Sequence, residues 1–292
     1  MAMRLLSALS RGAEIPIFPV VGARGLALVE ALRRLPGLQL VASPRHARVL
    51  LVAGAVEASQ KRMLERLHAQ LPSPRGTVWW QAERLFARGE QVAGDDPLPA
   101  ICKAAMADDP DQRPDVPPHP WQGIGPHGQG GQGMMGGTPY GRPMAMTADD
   151  IRDGLALDAY KARFGPFLPM LPPGLVLDMT LQGDVITSAE VASAPFHQGP
   201  EGDAPTLCAA RMLQLMGITP RAARARGALI ALPKGLGMRR RLAAWLRCGE
   251  VSETPEPLPD VLPGLEWAEA VLWLASYPPS RLRAACMEKA AA

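Results

Sequence analysis

The run VLLVAG at residues 49–54 is the clearest strand signal in the first hundred residues. An unbroken apolar run that ends at a glycine is typical of a strand buried on both faces, as in a parallel sheet. On either side of this run, the same patterning predicts strands over Ile15–Val21, 38–42 and 77–80, and helices over 26–35 and 57–71. Strands that alternate with helices across short connections predict a doubly wound, flavodoxin-like α/β domain.

The second half of the chain carries a different pattern. Apolar runs at 175–181 and 185–191 flank the turn sequence Gln182-Gly183-Asp184 and predict a β-hairpin. Helices are expected after it, over 206–216, 221–232, 238–248, 267–275 and 280–290. A hairpin followed by helices predicts an α+β domain.

Composition divides the chain further. Hydrophobic residues make up 47% of the 292 residues, which is enough for real cores and excludes wholesale disorder. Residues 108–147 contain eight prolines and nine glycines and show no apolar periodicity. We therefore expect an α/β domain over 1–107, a Gly/Pro-rich linker over 108–147 and an α+β domain over 148–292.

The cysteines exclude some classes of metal site. Cys102, Cys208, Cys248 and Cys286 lie far apart, and no pair has the CxxC spacing of a zinc ribbon or of a self-contained iron–sulfur site. Buried, unreactive thiols are the better interpretation of the last three, which fall in helical stretches. His197 has no companion ligand in the sequence, so a solvated loop histidine is expected there.

Charge is distributed unevenly. Residues 204–249 hold nine arginines or lysines and no acid, while the rest of the chain holds 22 basic and 28 acidic residues. Such a stretch favours contact with an acidic partner or with anionic lipid headgroups, and a solvated helical surface is an equally weighted alternative. The candidate contact residues are arginines: Arg221, Arg224, Arg226, Arg239, Arg240 and Arg241. No nucleic-acid partner is expected, because only Trp245 is interleaved with these arginines.

Two passages resemble a known pair of subunits. Residues 42–56 (ASPRHARVLLVAGAV) and 63–75 (MLERLHAQLPSPR) are similar to the small subunit that holds the quinone-proximal cluster in respiratory complex I and group-4 [NiFe] hydrogenases. Residues 165–185 (GPFLPMLPPGLVLDMTLQGDV) are similar to the start of the partner large subunit, and 209–224 to its helices. The resemblance implies both subunits fused in one chain, with the second cut short.

The family's ligands are missing at the matching positions. The small subunits place a cysteine pair after the first strand, where this chain has VVGARG at 20–25. A third cysteine follows the strand ending at Trp80, where Gln81 and Ala82 stand, and the fourth belongs to a Cys-Pro dipeptide that this chain lacks. Leu168 and Pro172 replace the two histidines of the large subunit, one of which reaches the quinone. The resemblance thus predicts no catalytic residue, no cofactor and no metal site.

Together, the resemblance and the missing ligands predict a structural function. The chain is predicted to be a redox-inactive structural and coupling subunit, peripheral to the cytoplasmic face of the membrane, with no independent catalytic activity. Its expected partners are the antiporter-like membrane-arm subunits of a complex-I-like or hydrogenase-like assembly that translocates ions. Two alternatives remain open: a working oxidoreductase subunit of NADH-quinone or hydrogenase type, and an independent anion- or RNA-binding protein.

Overall fold

Two sheets organise the chain in the computed structural model, which describes residues 14–33, 35–107, 146–151, 154–217 and 257–287. The strands of the first sheet are β1 (Ile15–Val21), β2 (Leu38–Leu40), β3 (Val49–Ala53), β4 (Gly76–Trp80) and β5 (Glu90–Val92). All neighbouring pairs are parallel, and the spatial order is β2-β1-β3-β4-β5.

Strand β3 lies at the centre of this sheet because every one of its residues is apolar. All five side chains are fully buried. Successive side chains point to opposite faces of a strand, so both faces of the sheet need a cover. Helices α1 (Leu26–Leu32) and α3 (Leu98–Ala105) pack on one face, and α2 (Lys61–Gln70) packs on the other.

The second sheet is antiparallel and contains the predicted hairpin. Its strands, in spatial order, are β6 (Met146–Thr147), β7 (Asp158–Phe164), β8 (Val176–Gln182) and β9 (Val185–Ser193). Gln182 pairs with Val185, and Gly183 in the turn between them has a φ of 61°. That left-handed conformation suits glycine, which has no Cβ to clash with the backbone.

Helices cover one face of the antiparallel sheet. A short helix, α4 (Gly199–Gly202), instead packs against α1. The helices on the antiparallel sheet are α5 (Pro205–Leu215), α6 (Leu258–Val261), α7 (Trp267–Ser276) and α8 (Pro279–Met287). Leu177, Met179 and Ile186 form a core with Leu274 and Leu282 from the last two helices. The opposite face carries exposed charged side chains, including the Arg163–Asp178 pair.

The architecture agrees with the coarse prediction from the sequence: a parallel sheet with helices, and a separate antiparallel sheet. The patterning did not single out β5, β7 or α3 as elements. Met146–Thr147, the last two residues of the predicted linker, form β6. The rest of that linker and the helices expected over 221–232 and 238–248 lie outside the described residues. Within the described segments, none of the helices is both long and apolar enough to span a membrane.

Candidate functional site

The carboxyl ends of β1 and β3 lie side by side at one edge of the parallel sheet. In parallel sheets with this strand order, the chain leaves β1 and β3 in opposite directions, and ligands bind in the crevice that opens there. The crevice is bounded by two loops, 22–25 after β1 and 54–56 after β3. The first is also the loop in which the resembling small subunits carry their cysteine pair.

Backbone atoms of the two loops are in direct contact and close this crevice. Ala23 and Ala55 exchange hydrogen bonds of 2.8 and 2.9 Å, and Gly22 N–H donates to the carbonyl of Ala53 (2.8 Å). A Cβ added to Gly22 would lie 2.4 Å from the Ala55 carbonyl oxygen, and one added to Gly25 would lie 1.9 Å from that of Ala53. Such distances leave no room for a side chain at either glycine, so neither position accommodates a cysteine without a backbone shift.

Gln198, from the second half of the chain, fills the remaining polar space of the crevice. Its side-chain Oε1 accepts a hydrogen bond from Leu26 N–H at the start of α1 (3.0 Å), and its Nε2 donates to the carbonyl of Gly22 (3.1 Å). The neighbouring carbonyl of His197 accepts from Arg24 N–H (2.8 Å). Only 3% of Gln198 is exposed. At the edge where related topologies bind ligands, the backbone groups of Gly22 and Leu26 are therefore hydrogen-bonded by a side chain of the protein itself.

Apolar contacts extend the same interface. Phe167, from the segment that precedes β8, belongs to the buried cluster on the α2 face of the parallel sheet, together with Phe18 and Trp79. Phe196 packs against this cluster, with its ring centroid 6.3 Å from that of Phe167. The two halves of the chain thus share a hydrophobic core.

Four residues stand where the sequence resemblance would place a cysteine ligand or a histidine: Gln81, Ala82, Leu168 and Pro172. Gln81 is exposed just after β4, and its N–H donates to the carbonyl of Val92 (2.8 Å), while Ala82 is buried. Pro172 is buried, and Leu168 is half-buried against the core of the second sheet. Cys102 is exposed on α3, whose next turn contacts Gly76 at the amino end of β4. It lies toward the edge opposite the crevice.

A cavity of about 70 Å³ lies beside the crevice, between α1 and the segment 166–173. Three charged side chains line it: Glu30 and Arg33 from α1, and Arg211 from α5. Arg33 Nε donates to Glu30 Oε1 at 2.9 Å. Burial lowers the pKa of Arg211 to about 10, because desolvation disfavours the charged guanidinium, and the nearby Cys208 and Glu30 offset only part of this effect.

Of the remaining predicted residues, the structure describes Cys208, Cys286 and His197. All six candidate contact arginines, from Arg221 to Arg241, lie outside the described residues, as does Cys248. Cys208 is buried as expected, Cys286 is half-buried, and His197 is exposed. In the described part of the chain, no group of three or more His, Cys, Asp or Glu side chains is arranged to hold a metal ion.

Sequence reasoning missed Gln198, because both of its partners are more than 170 positions away along the chain. Arg211 was one of the nine cations of the basic stretch, but its burial against α1 had no sequence signal.

Comparison with known proteins adds no assignment: the chain matches no family model and no curated protein.

Proposed function

We propose that this protein is a redox-inactive structural and coupling subunit of a complex-I-like or hydrogenase-like membrane assembly. In this proposal the first half is a doubly wound, flavodoxin-like domain derived from the small subunit, and the second half derives from the large subunit. The strand order β2-β1-β3-β4-β5 supports the flavodoxin-like class, since that order is one of the two common doubly wound arrangements.

One observation carries the proposal: the two halves dock at the crevice where the resembling small subunits carry ligand cysteines. Gly22 and Gly25 stand in that loop with no room for a side chain, and Gln198 occupies the adjacent polar space. A four-iron cluster needs four thiolates at fixed geometry. The chain retains the contacts that assemble a subunit pair and has replaced the residues that would carry electrons.

The partners in this proposal are antiporter-like membrane subunits, contacted through the six candidate arginines of the basic stretch, from Arg221 to Arg241. Arginine suits such a contact, because its planar guanidinium forms two parallel hydrogen bonds with a carboxylate or a lipid phosphate. The eight positive charges over residues 221–247, without an acid among them, repel one another unless a negative surface compensates them. The protein would then lie at the cytoplasmic face of the membrane, held there by its partners.

The first test is purification of the tagged full-length protein from membranes of its own host. We expect antiporter-like membrane proteins to co-purify, and the iron and acid-labile sulfide content to be far below one cluster per chain. Stoichiometric iron and sulfide would instead support the working oxidoreductase alternative. Salt-sensitive RNA binding by the isolated protein, without membrane partners, would support the alternative of an independent binding protein.

The second test addresses the basic stretch directly. Changing Arg239, Arg240 and Arg241 to Ser is expected to reduce the fraction of protein that co-sediments with membranes at low salt, while the melting temperature stays the same. Equal co-sedimentation of variant and parent protein at every salt concentration would reject this contact.

The matched control removes the same charge elsewhere. Arg45, Arg48 and Arg62 are exposed on the first half of the chain. Their replacement by Ser also lowers the net charge by three, but it leaves the basic stretch intact. We expect this control to co-sediment as the parent protein does, so a loss in both variants would indicate nonspecific charge attraction.

A further inference from the structure

The cavity between α1 and the segment 166–173 combines apolar walls with charged side chains on one side. Its apolar lining includes Val21, Val29, Phe167 and Leu171, contributed by both halves of the chain. A water molecule takes up about 30 Å³ in the liquid, so a cavity of about 70 Å³ has room for roughly two waters or for a small organic ion.

The charged side of the cavity has an excess of positive charge. Arg33 and Arg211 contribute two cations, and Glu30 contributes one carboxylate, which accepts from Arg33 Nε. The Nη2 atom of Arg211 is buried and has no hydrogen-bond partner among the residues that the structure describes. Buried charges are normally paired, because an uncompensated charge is costly in a medium of low dielectric constant.

The basic stretch itself supplies no acidic side chain to this cavity. Residues 204–249, which contain Arg211, include no aspartate or glutamate. The depressed pKa of Arg211, caused mainly by burial, agrees with a guanidinium whose charge is only partly compensated by Glu30. A ligand that brings one negative charge would make the two cations and two anions balance.

We propose that this cavity binds a small monocarboxylate anion, of about the size of acetate, through the guanidinium of Arg211. The buried Nη2 of Arg211 can donate a charge-assisted hydrogen bond to one oxygen of such a carboxylate. Its methyl or ethyl group would contact the apolar walls formed by Val29 and Leu171. This inference depends on the contact between the two halves of the chain, and is independent of membrane association.

Saturation-transfer NMR on the full-length protein tests the proposal, with sodium acetate as the probe and sodium chloride holding the ionic strength constant. We expect saturable transfer to the acetate methyl protons. Arg211→Met, which keeps an unbranched apolar side chain but removes the charge, is expected to raise the dissociation constant at least tenfold. Arg163→Met is the matched control, since Arg163 is exposed on the other face of the second sheet, and its dissociation constant should equal that of the parent protein.

A second variant separates binding from a structural role of Arg211. Glu30→Gln removes the anion that competes for the two guanidinium groups, so acetate should bind several-fold more tightly. A purely structural arginine predicts no such gain. The proposal is overturned if the parent protein gives no transfer, if chloride competes as well as acetate does, or if Arg211→Met retains binding. Where Arg211→Met fails to fold, unchanged or weaker binding by Glu30→Gln overturns it alone.

Discussion

Replacing Gln198 by leucine should loosen the contact between the two halves of the chain by an amount that can be derived from its hydrogen bonds. Leucine is close to glutamine in volume, so the substitution removes little packing. It does remove the acceptor for Leu26 N–H and the donor to the Gly22 carbonyl. A buried polar group left without its partner costs roughly 1–3 kcal/mol. We therefore expect the variant to lose about 2–6 kcal/mol of unfolding free energy.

Urea denaturation of the full-length protein, followed by tryptophan fluorescence, measures this loss. Hydrogen exchange locates it: the amides of residues 22–30 should exchange at least about 30-fold faster in the variant, since each 1.4 kcal/mol corresponds to a factor of ten. The control is Gln39→Leu, at an exposed position on β2, where roughly 0.5 kcal/mol or less is expected. If Gln198→Leu changes stability and exchange no more than this control does, Gln198 does not hold the halves together.

Three further predictions concern single positions. Gly25→Ala should destabilise the protein by on the order of 3 kcal/mol or more in urea denaturation, because the new Cβ would meet the backbone of β3, whereas Gly94→Ala, in open space, should have little effect. Asp178→Asn should lose less unfolding free energy in acid than the parent protein does. The hydrogen bonds from Arg163 on β7 lower the pKa of the Asp178 carboxyl, so the stabilisation by this pair is present above about pH 4 and is lost as the pH falls through the folded-state pKa. Iodoacetamide should alkylate the exposed Cys102 well before Cys286, because burial raises the pKa of the Cys286 thiol to about 11. Peptide mass spectrometry after alkylation of the native protein measures this order, and faster alkylation of Cys286 would contradict the prediction.

The extent to which the sequence predicts this fold depends on how local each signal is. Strand β3 was predictable because a short, unbroken apolar run that ends at a glycine is typical of a strand at the centre of a sheet covered on both faces. The hairpin β8–β9 was predictable because its turn contains a glycine in a position that requires positive φ. Strand β5 was not, since Glu90-Gln-Val92 is short and polar and becomes a strand only by pairing with β4.

The candidate site was far less predictable, because its contacts are not local. The sequence shows glycines at 22 and 25, but their reason, which is close approach of a second loop, exists only in the folded chain. A lone glutamine such as Gln198 carries no pattern at all. The absence of acids around Arg211 was visible in the sequence, whereas its burial beside Glu30 required α1 and α5 to be brought together.

The position of Gln198 also determines whether the crevice can bind a free ligand. Its side-chain amide behaves as a tethered ligand, bound where a parallel α/β protein would receive a diffusing one. Because the folded chain holds this amide in place, its binding does not incur the loss of translational and rotational freedom that a free molecule would incur. A free molecule would have to outcompete it as well as make its own contacts. Small-molecule binding in the crevice between the two loops would therefore require loss of Gln198 first, together with room made between Gly22 and Ala55.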